Sequence, residues 1–148
     1  MLTRMLPDQI TKNWDLIRHG VINGLPPSNG RLIGEDKLEK IATNVLDSVI
    51  RGEGDVWLIH QDEKIFAIVT TMLAMDAIAG ETSLIIYSLY GYREMSMELF
   101  REGLKGIAEY GKSKGVNIIS AFTDMSNVLN VARALGFKVS NFLTLEVI

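Results

Sequence analysis

A mixed α/β (α+β) fold, a mostly antiparallel seven-stranded sheet carrying about four helices, is predicted by three features of this 148-residue chain. Apolar residues recur at helical spacing over the first third of the chain and again over residues 96–112. Between those segments lie three β-rich runs separated only by short polar turns, which predicts consecutive antiparallel strands. From Thr82 to Phe122 the order is strand, helix, strand, which predicts a right-handed parallel crossover. With 47% hydrophobic residues the chain has enough apolar side chains for one core, and one domain over residues 1–148 is expected.

Met1 to Leu6 is a candidate first strand. Pro7 then suits the first turn of a helix whose buried stripe is Ile10, Trp14, Ile17 and Val21. Asn23 to Gly30 holds Pro26 and Pro27 and is a loop, either an inter-helix connector or a substrate-side segment. A second helix from about Glu35 turns Leu38, Ile41, Ala42, Val45, Leu46 and Val49 inward and stops near Gly52 and Gly54. Strands at Val56–Gln61, Ile65–Met75 and Thr82–Tyr90 follow, the first two joined by the polar turn Asp62-Glu63-Lys64.

Ser96 or a neighbour caps a third helix, with Met97, Phe100, Leu104, Ile107, Ala108 and Gly111 expected on one face. Gly103 or Gly106 inside it points to close packing. Val116–Phe122 is expected as a buried strand, then a helix begun at Asp124 or Ser126 and stopped at Gly136. Phe137–Ser140 and Phe142–Val147 are expected to complete the sheet.

Composition narrows the function classes. A net charge of −3 with scattered Lys and Arg argues against nucleic acid as a partner. Without cysteine there is no disulfide, thiolate zinc site or Cys nucleophile. His19 and His60 lack partners at metal-ligand spacing, so both are read as structural or exposed and no metal is expected. The longest apolar run, Ile65 to Met75, is too short to span a bilayer, so a soluble cytoplasmic protein without membrane contact is expected.

The element order, together with Ala132-Arg133-Ala134-Leu135-Gly136-Phe137, resembles the GNAT (GCN5-related N-acetyltransferase) superfamily over nearly the whole chain. The resemblance implies that the fourth strand and the next parallel strand splay apart to admit the pantetheine arm of acetyl-CoA. It also implies a pyrophosphate resting on the amides of a Q/R-x-x-G-x-G/A loop. That loop falls on Arg93-Glu94-Met95-Ser96-Met97-Glu98, where only the first position agrees. Ser96 replaces a glycine and Glu98 places a carboxylate where the pyrophosphate would lie. Such a pair about 4 Å apart costs about 4 kcal/mol at an effective dielectric near 20. Glu94 and Glu98 also have a purely structural use, since acidic side chains in a first turn favour the helix dipole.

Carried over residue by residue, the resemblance implies Leu89, Tyr90, Arg93, Ser96 and Asn127 as cofactor-binding positions. A tyrosine that many members use as general acid is here Ala132, leaving Tyr87, Tyr90 and Tyr92 as substitute acids, with Tyr87 the candidate retained, and Asp124 as the candidate base. Two readings compete. In the first, the eroded loop marks a non-catalytic binding or assembly module without cofactor, with a protein partner or a second copy of itself; the layout resembles GNAT-like proteins encoded by phages, some in virions. In the alternative, the chain is an acetyl-CoA-dependent N-acyltransferase acting on a primary amine. An uncharged small ligand in the cleft has no support in the sequence.

Overall fold

The computed structural model describes residues 1–25, 35–123 and 126–140, together with Leu143, Leu145 and Val147. In chain order the described elements are β1 (Leu2–Arg4), α1 (Pro7–Lys12), α2 (Trp14–Asn23), α3 (Glu35–Ile50), β2 (Gly54–Gln61), β3 (Lys64–Asp76), β4 (Glu81–Gly91), α4 (Met97–Ser113), β5 (Ile119–Ala121) and α5 (Ser126–Ala134). The strands form one sheet in the order β1-β2-β3-β4-β5, antiparallel except for the parallel pair β4/β5.

Strand alternation divides the core between the two faces of this sheet. On one face Ile10, Ile17, Val21 and Val45 of α1–α3 pack on Val56 and Ile68. On the other, Leu99 and Ile107 of α4 pack on Trp57, Ile59, Ala67, Val69 and Leu84. The helix lies close because two glycines face the strands. A Cβ at Gly103 would come within 2.9 Å of Ile59 Cδ1, and one at Gly106 within 2.7 Å of Leu2 Cδ2. Near the other end of α4, Tyr110 Oη donates to Asp55 Oδ2 at 2.6 Å and accepts from Arg4 Nη1 at 3.2 Å, tying the helix to β1 and β2. Polar groups buried in the sheet are paired: Trp57 Nε1 donates to Thr71 Oγ1 at 2.9 Å, and the Thr70 and Ser88 hydroxyls lie 2.5 Å apart.

Several expectations are corrected. The described residues hold five strands and five helices, where seven and about four are expected. The first helix divides at Asn13 (φ −112°, ψ 27°), whose amide is shared between the Gln9 and Ile10 carbonyls. Val116–Phe122 pairs only over Ile119–Ala121: the Val116 amide is spent on the Gly111 carbonyl at the end of α4, and Ile118 and Phe122 are each 49% exposed. Phe137–Ser140 is not a strand, because the Phe137 amide closes α5 on the Ala132 carbonyl past Gly136 at φ 97°. Of Phe142–Val147, the described Leu143, Leu145 and Val147 lie outside any strand, and the rest lie outside the described residues. In α4 the buried stripe is Leu99, Gly103, Ile107 and Gly111; Met97 is exposed and Phe100 and Leu104 only half-buried, so the helix is rotated from the expected face.

Candidate functional site

The sheet opens between β4 and β5. Leu84, Ile85 and Ile86 pair with Ile119, Ser120 and Ala121, and β4 then runs on through Tyr87–Gly91 without β5 beside it. At the point of parting β4 is also distorted against its other neighbour. Thr70 pairs with Ser88 and Thr71 with Ile86, which leaves Tyr87 as the extra residue of a bulge. Tyr87 and Phe122 are thus the first residues past the last β4/β5 pair, and both line a hollow of about 270 Å³ with Met72, Leu73, Ala74 and Ile85.

Beyond the parting, the C-terminal turn of α2 reaches β4. The Leu89 amide, on the stretch of β4 past the parting, donates to the Gly24 carbonyl at 3.0 Å. Next along the strand, the Tyr90 hydroxyl lies 3.3 Å from His19 Nε2, and the rings meet edge to face with centroids 5.3 Å apart. Asn23 Nδ2 donates to the His19 carbonyl at 2.8 Å, which fixes its amide as the donor toward His19 Nδ1 at 3.3 Å. That leaves Nδ1 as acceptor and puts the ring hydrogen of the neutral imidazole on Nε2, facing Tyr90. Tyr92 Oη donates to the Leu16 carbonyl at 2.8 Å, and burial pushes its pKa up to about 12.

At the start of α4, Ser96 is the cap, with its hydroxyl accepting the Leu99 amide at 3.2 Å. Glu94 and Glu98 are exposed, so the carboxylates flank the helix start from the solvent side. Arg93 is bound to the hairpin behind it: Nε donates to the Ile65 carbonyl at 3.2 Å and the guanidinium stands 6.0 Å over the Phe66 ring. Met95 packs against the core cluster under α4, in keeping with the gap-filling role of methionine.

The structure thus brings Tyr87, Leu89 and Tyr90 together along one edge of β4, with Arg93 and Ser96 at the turn that follows. Asn127 is exposed in the first turn of α5, Ala132 is half-buried, and Asp124 lies outside the described residues, as does the Pro26–Gly30 part of the predicted loop. Among the described residues no cluster of His, Asp or Glu could hold a metal ion. No described helix is long and apolar enough to cross a membrane. His60 bonds Thr3 Oγ1 at 2.7 Å, a structural use. His19, Gly24 and Phe122 are the site features that sequence reasoning missed. Nothing local to His19 or Gly24 signals a contact with β4, whereas Phe122 stands at the end of a predicted strand.

No family profile and no curated protein matches the chain. Solved structures do. A predicted acetyltransferase with acetyl-CoA from Clostridium acetobutylicum superposes with TM-score 0.73 at 11% identity, covering 99% of this chain and 95% of that one. An aminoglycoside 6'-N-acetyltransferase from Acinetobacter haemolyticus gives 0.69 at 10% identity over 99% and 97% of the two chains. An aminoglycoside acetyltransferase from an uncultured soil metagenomic sample, in complex with sisomicin, gives 0.65 at 15% identity over 99% and 96%. The chain shares its fold with these acetyltransferases.

Proposed function

We propose that the chain is an acetyl-CoA-dependent N-acyltransferase acting on a primary amine. The parting of β4 from β5 at Tyr87 and Phe122 carries this reading, because it leaves a gap lined by main chain with an open hollow at its apex. The residues present fit the cofactor in two places. Tyr87–Gly91 of β4 runs on without β5 beside it and, apart from the Leu89 amide taken by the Gly24 carbonyl, offers a strand edge to an extended pantetheine arm, and the start of α4 offers the amides of Met97 and Glu98 to a pyrophosphate.

In this reading the main chain at Leu89 and Tyr90 holds the arm, Arg93 and Ser96 border the phosphates, and Asn127 contacts the cofactor from the first turn of α5. Bound acetyl-CoA supplies an activated acyl carbon: the amine nitrogen bonds to it as the carbon–sulfur bond breaks, the amine gives up one proton and the sulfur takes one. Tyr87 Oη is the proposed proton donor, since the bulge holds it at the apex of the gap. The Leu89 amide would hold the acyl oxygen only in exchange for its bond to the Gly24 carbonyl. Asp124 keeps its sequence-based place as the candidate base.

A second reading, the non-catalytic binding or assembly module, in a virion where the chain is phage-encoded, is favoured by one observation. The Leu89 amide, which the acyl group would use, is already satisfied within the chain by the Gly24 carbonyl. Calorimetric and thermal-shift titration with acetyl-CoA separates the readings. A Kd below about 100 μM, giving about 1.4 kcal/mol of stabilisation at 1 mM ligand, is expected for the enzyme. No stabilisation at millimolar acetyl-CoA selects the module.

A further inference from the structure

The hollow at the apex of the gap has a chemistry of its own. Among the described residues it is lined by Met72, Leu73, Ala74, Ile85, Tyr87 and Phe122, which carry no charge and whose side-chain polar group is the Tyr87 hydroxyl. By alternation from Ile68 and Thr70, Met72 and Ala74 belong to the sheet face that α1–α3 cover further along, yet no helix residue is among the described residues lining the hollow. The volume of about 270 Å³ lies just below the ~300–1,000 Å³ of ordinary small-molecule pockets. It exceeds the ~150 Å³ that suffices for a benzene ring, so one ring with a short arm fits. An oligosaccharide bearing several ammonium groups does not: each charge brought against these walls would be desolvated, and none of the described lining residues supplies a carboxylate to pair it.

Resting on the acyltransferase reading, we infer that the hollow is the acceptor subsite and that the acceptor is a small amine with one aryl or branched alkyl group. The apolar group lies against Met72, Ala74 and Ile85. The nitrogen faces the parting at Tyr87, where solvent still reaches it and the hydroxyl accepts a hydrogen bond from its N–H. This distinguishes the chain from the aminoglycoside acetyltransferases whose fold it shares.

The test is a titration of the ¹⁵N-labelled protein, with and without acetyl-CoA, using 2-phenylethylamine, spermidine and kanamycin as probes. The expected result is shifts confined to residues 72–74, 85–87 and 122, with 2-phenylethylamine binding at least tenfold more tightly than either polycation. Ala74→Trp, which fills the hollow, weakens 2-phenylethylamine at least tenfold and leaves acetyl-CoA affinity unchanged. Ile85→Ala, which widens it, keeps the preference and serves where Ala74→Trp fails to fold. Equal or tighter binding of a polycation overturns the inference, as do contacts from residues 141–148 to Tyr87 that show the chain's own C-terminus filling the hollow. Absence of acetyl-CoA shifts at residues 87–98 defeats the acyltransferase reading instead, and is scored separately from the amine preference.

Discussion

The carbonyl of Gly24 accepts the amide of Leu89 at 3.0 Å, so the end of α2 is fastened to the strand edge that borders the gap. The fit admits no side chain. A Cβ at Gly24 would lie 2.7 Å from the Leu89 carbonyl carbon and 2.8 Å from its oxygen. Gly24→Ala is therefore expected to lift this turn off β4. One hydrogen bond and its local packing go with it, a loss of about 1–2 kcal/mol by denaturant titration. Exchange at the Leu89 amide accelerates at least tenfold and, on the acyltransferase reading, acetyl-CoA affinity rises because that amide is released. Weaker acetyl-CoA binding with the stability loss intact would show the turn to be part of the site and not a competitor for it.

Ser96 carries two opposed effects that two substitutions separate. Its hydroxyl caps α4 through the Leu99 amide at 3.2 Å, and the same side chain crowds the approach to the helix start. Ser96→Ala removes the cap and lowers stability by about 1 kcal/mol, whereas Ser96→Gly loses only a few tenths. If an anion binds here, Ser96→Gly combined with Glu98→Ala raises acetyl-CoA affinity at least several-fold, with the gain shrinking as salt rises. Calorimetry at two ionic strengths measures both; unchanged affinity would remove the helix start from the site.

The gap was partly legible in the sequence because strand and helix periodicities are local. Val56–Gln61, Ile65–Met75 and Thr82–Tyr90 fall within β2, β3 and β4, and the Asp62-Glu63 turn adopts the positive φ values, 52° and 62°, that a tight hairpin requires. The inward stripe of α3 and the Ser96 cap also follow from spacing and residue type. What spacing does not encode is the bulge at Tyr87, which depends on how Thr70 and Thr71 register against β4. Alternation across an unbulged strand cannot show that Tyr87 and Ser88, adjacent in sequence, follow different pairing rules. The rotation of α4 escaped for a related reason: Gly103 faces the sheet because it is small, and a hydrophobic count scores it as neutral. The contacts of His19 and Gly24 with β4 span more than sixty residues of sequence, beyond the reach of any local pattern.

Tyr110 is expected to be the fastening between α4 and the sheet. Its hydroxyl bonds Asp55 at 2.6 Å and Arg4 at 3.2 Å, and its ring meets Trp57 edge to face at 4.9 Å. Tyr110→Phe keeps the ring and deletes the polar link, leaving Asp55 short of a donor. A hydrogen bond to a charged group at this half-buried site accounts for about 1–2 kcal/mol. Asp55→Asn is expected to lose a similar amount, and the double variant little more than either alone, since both remove one interaction. Additive losses in a denaturation cycle would show that the two groups act separately.

Tyr92 makes the fold sensitive to high pH. Its hydroxyl donates to the Leu16 carbonyl at 2.8 Å, which a phenolate cannot do, and burial followed by the neighbouring Tyr90 pushes its pKa from 10.0 up to about 12. Below pH 10 the phenol is neutral in both folded and unfolded chains, so its contribution is fully present. Between pH 10 and about 12 the unfolded chain releases the proton while the folded chain retains it, and stability falls with pH by up to one proton's linkage. Above about 12 the folded chain loses it too and the hydrogen bond is gone. Tyr92→Phe therefore lowers stability at neutral pH by about 1 kcal/mol through the lost hydrogen bond. It also flattens the decline between pH 10 and 12 relative to the parent chain. Parallel denaturant titrations of the two proteins from pH 8 to pH 12 isolate the difference, because lysines and the other tyrosines titrate in both. Identical slopes would place the Tyr92 hydroxyl in solvent in the folded state.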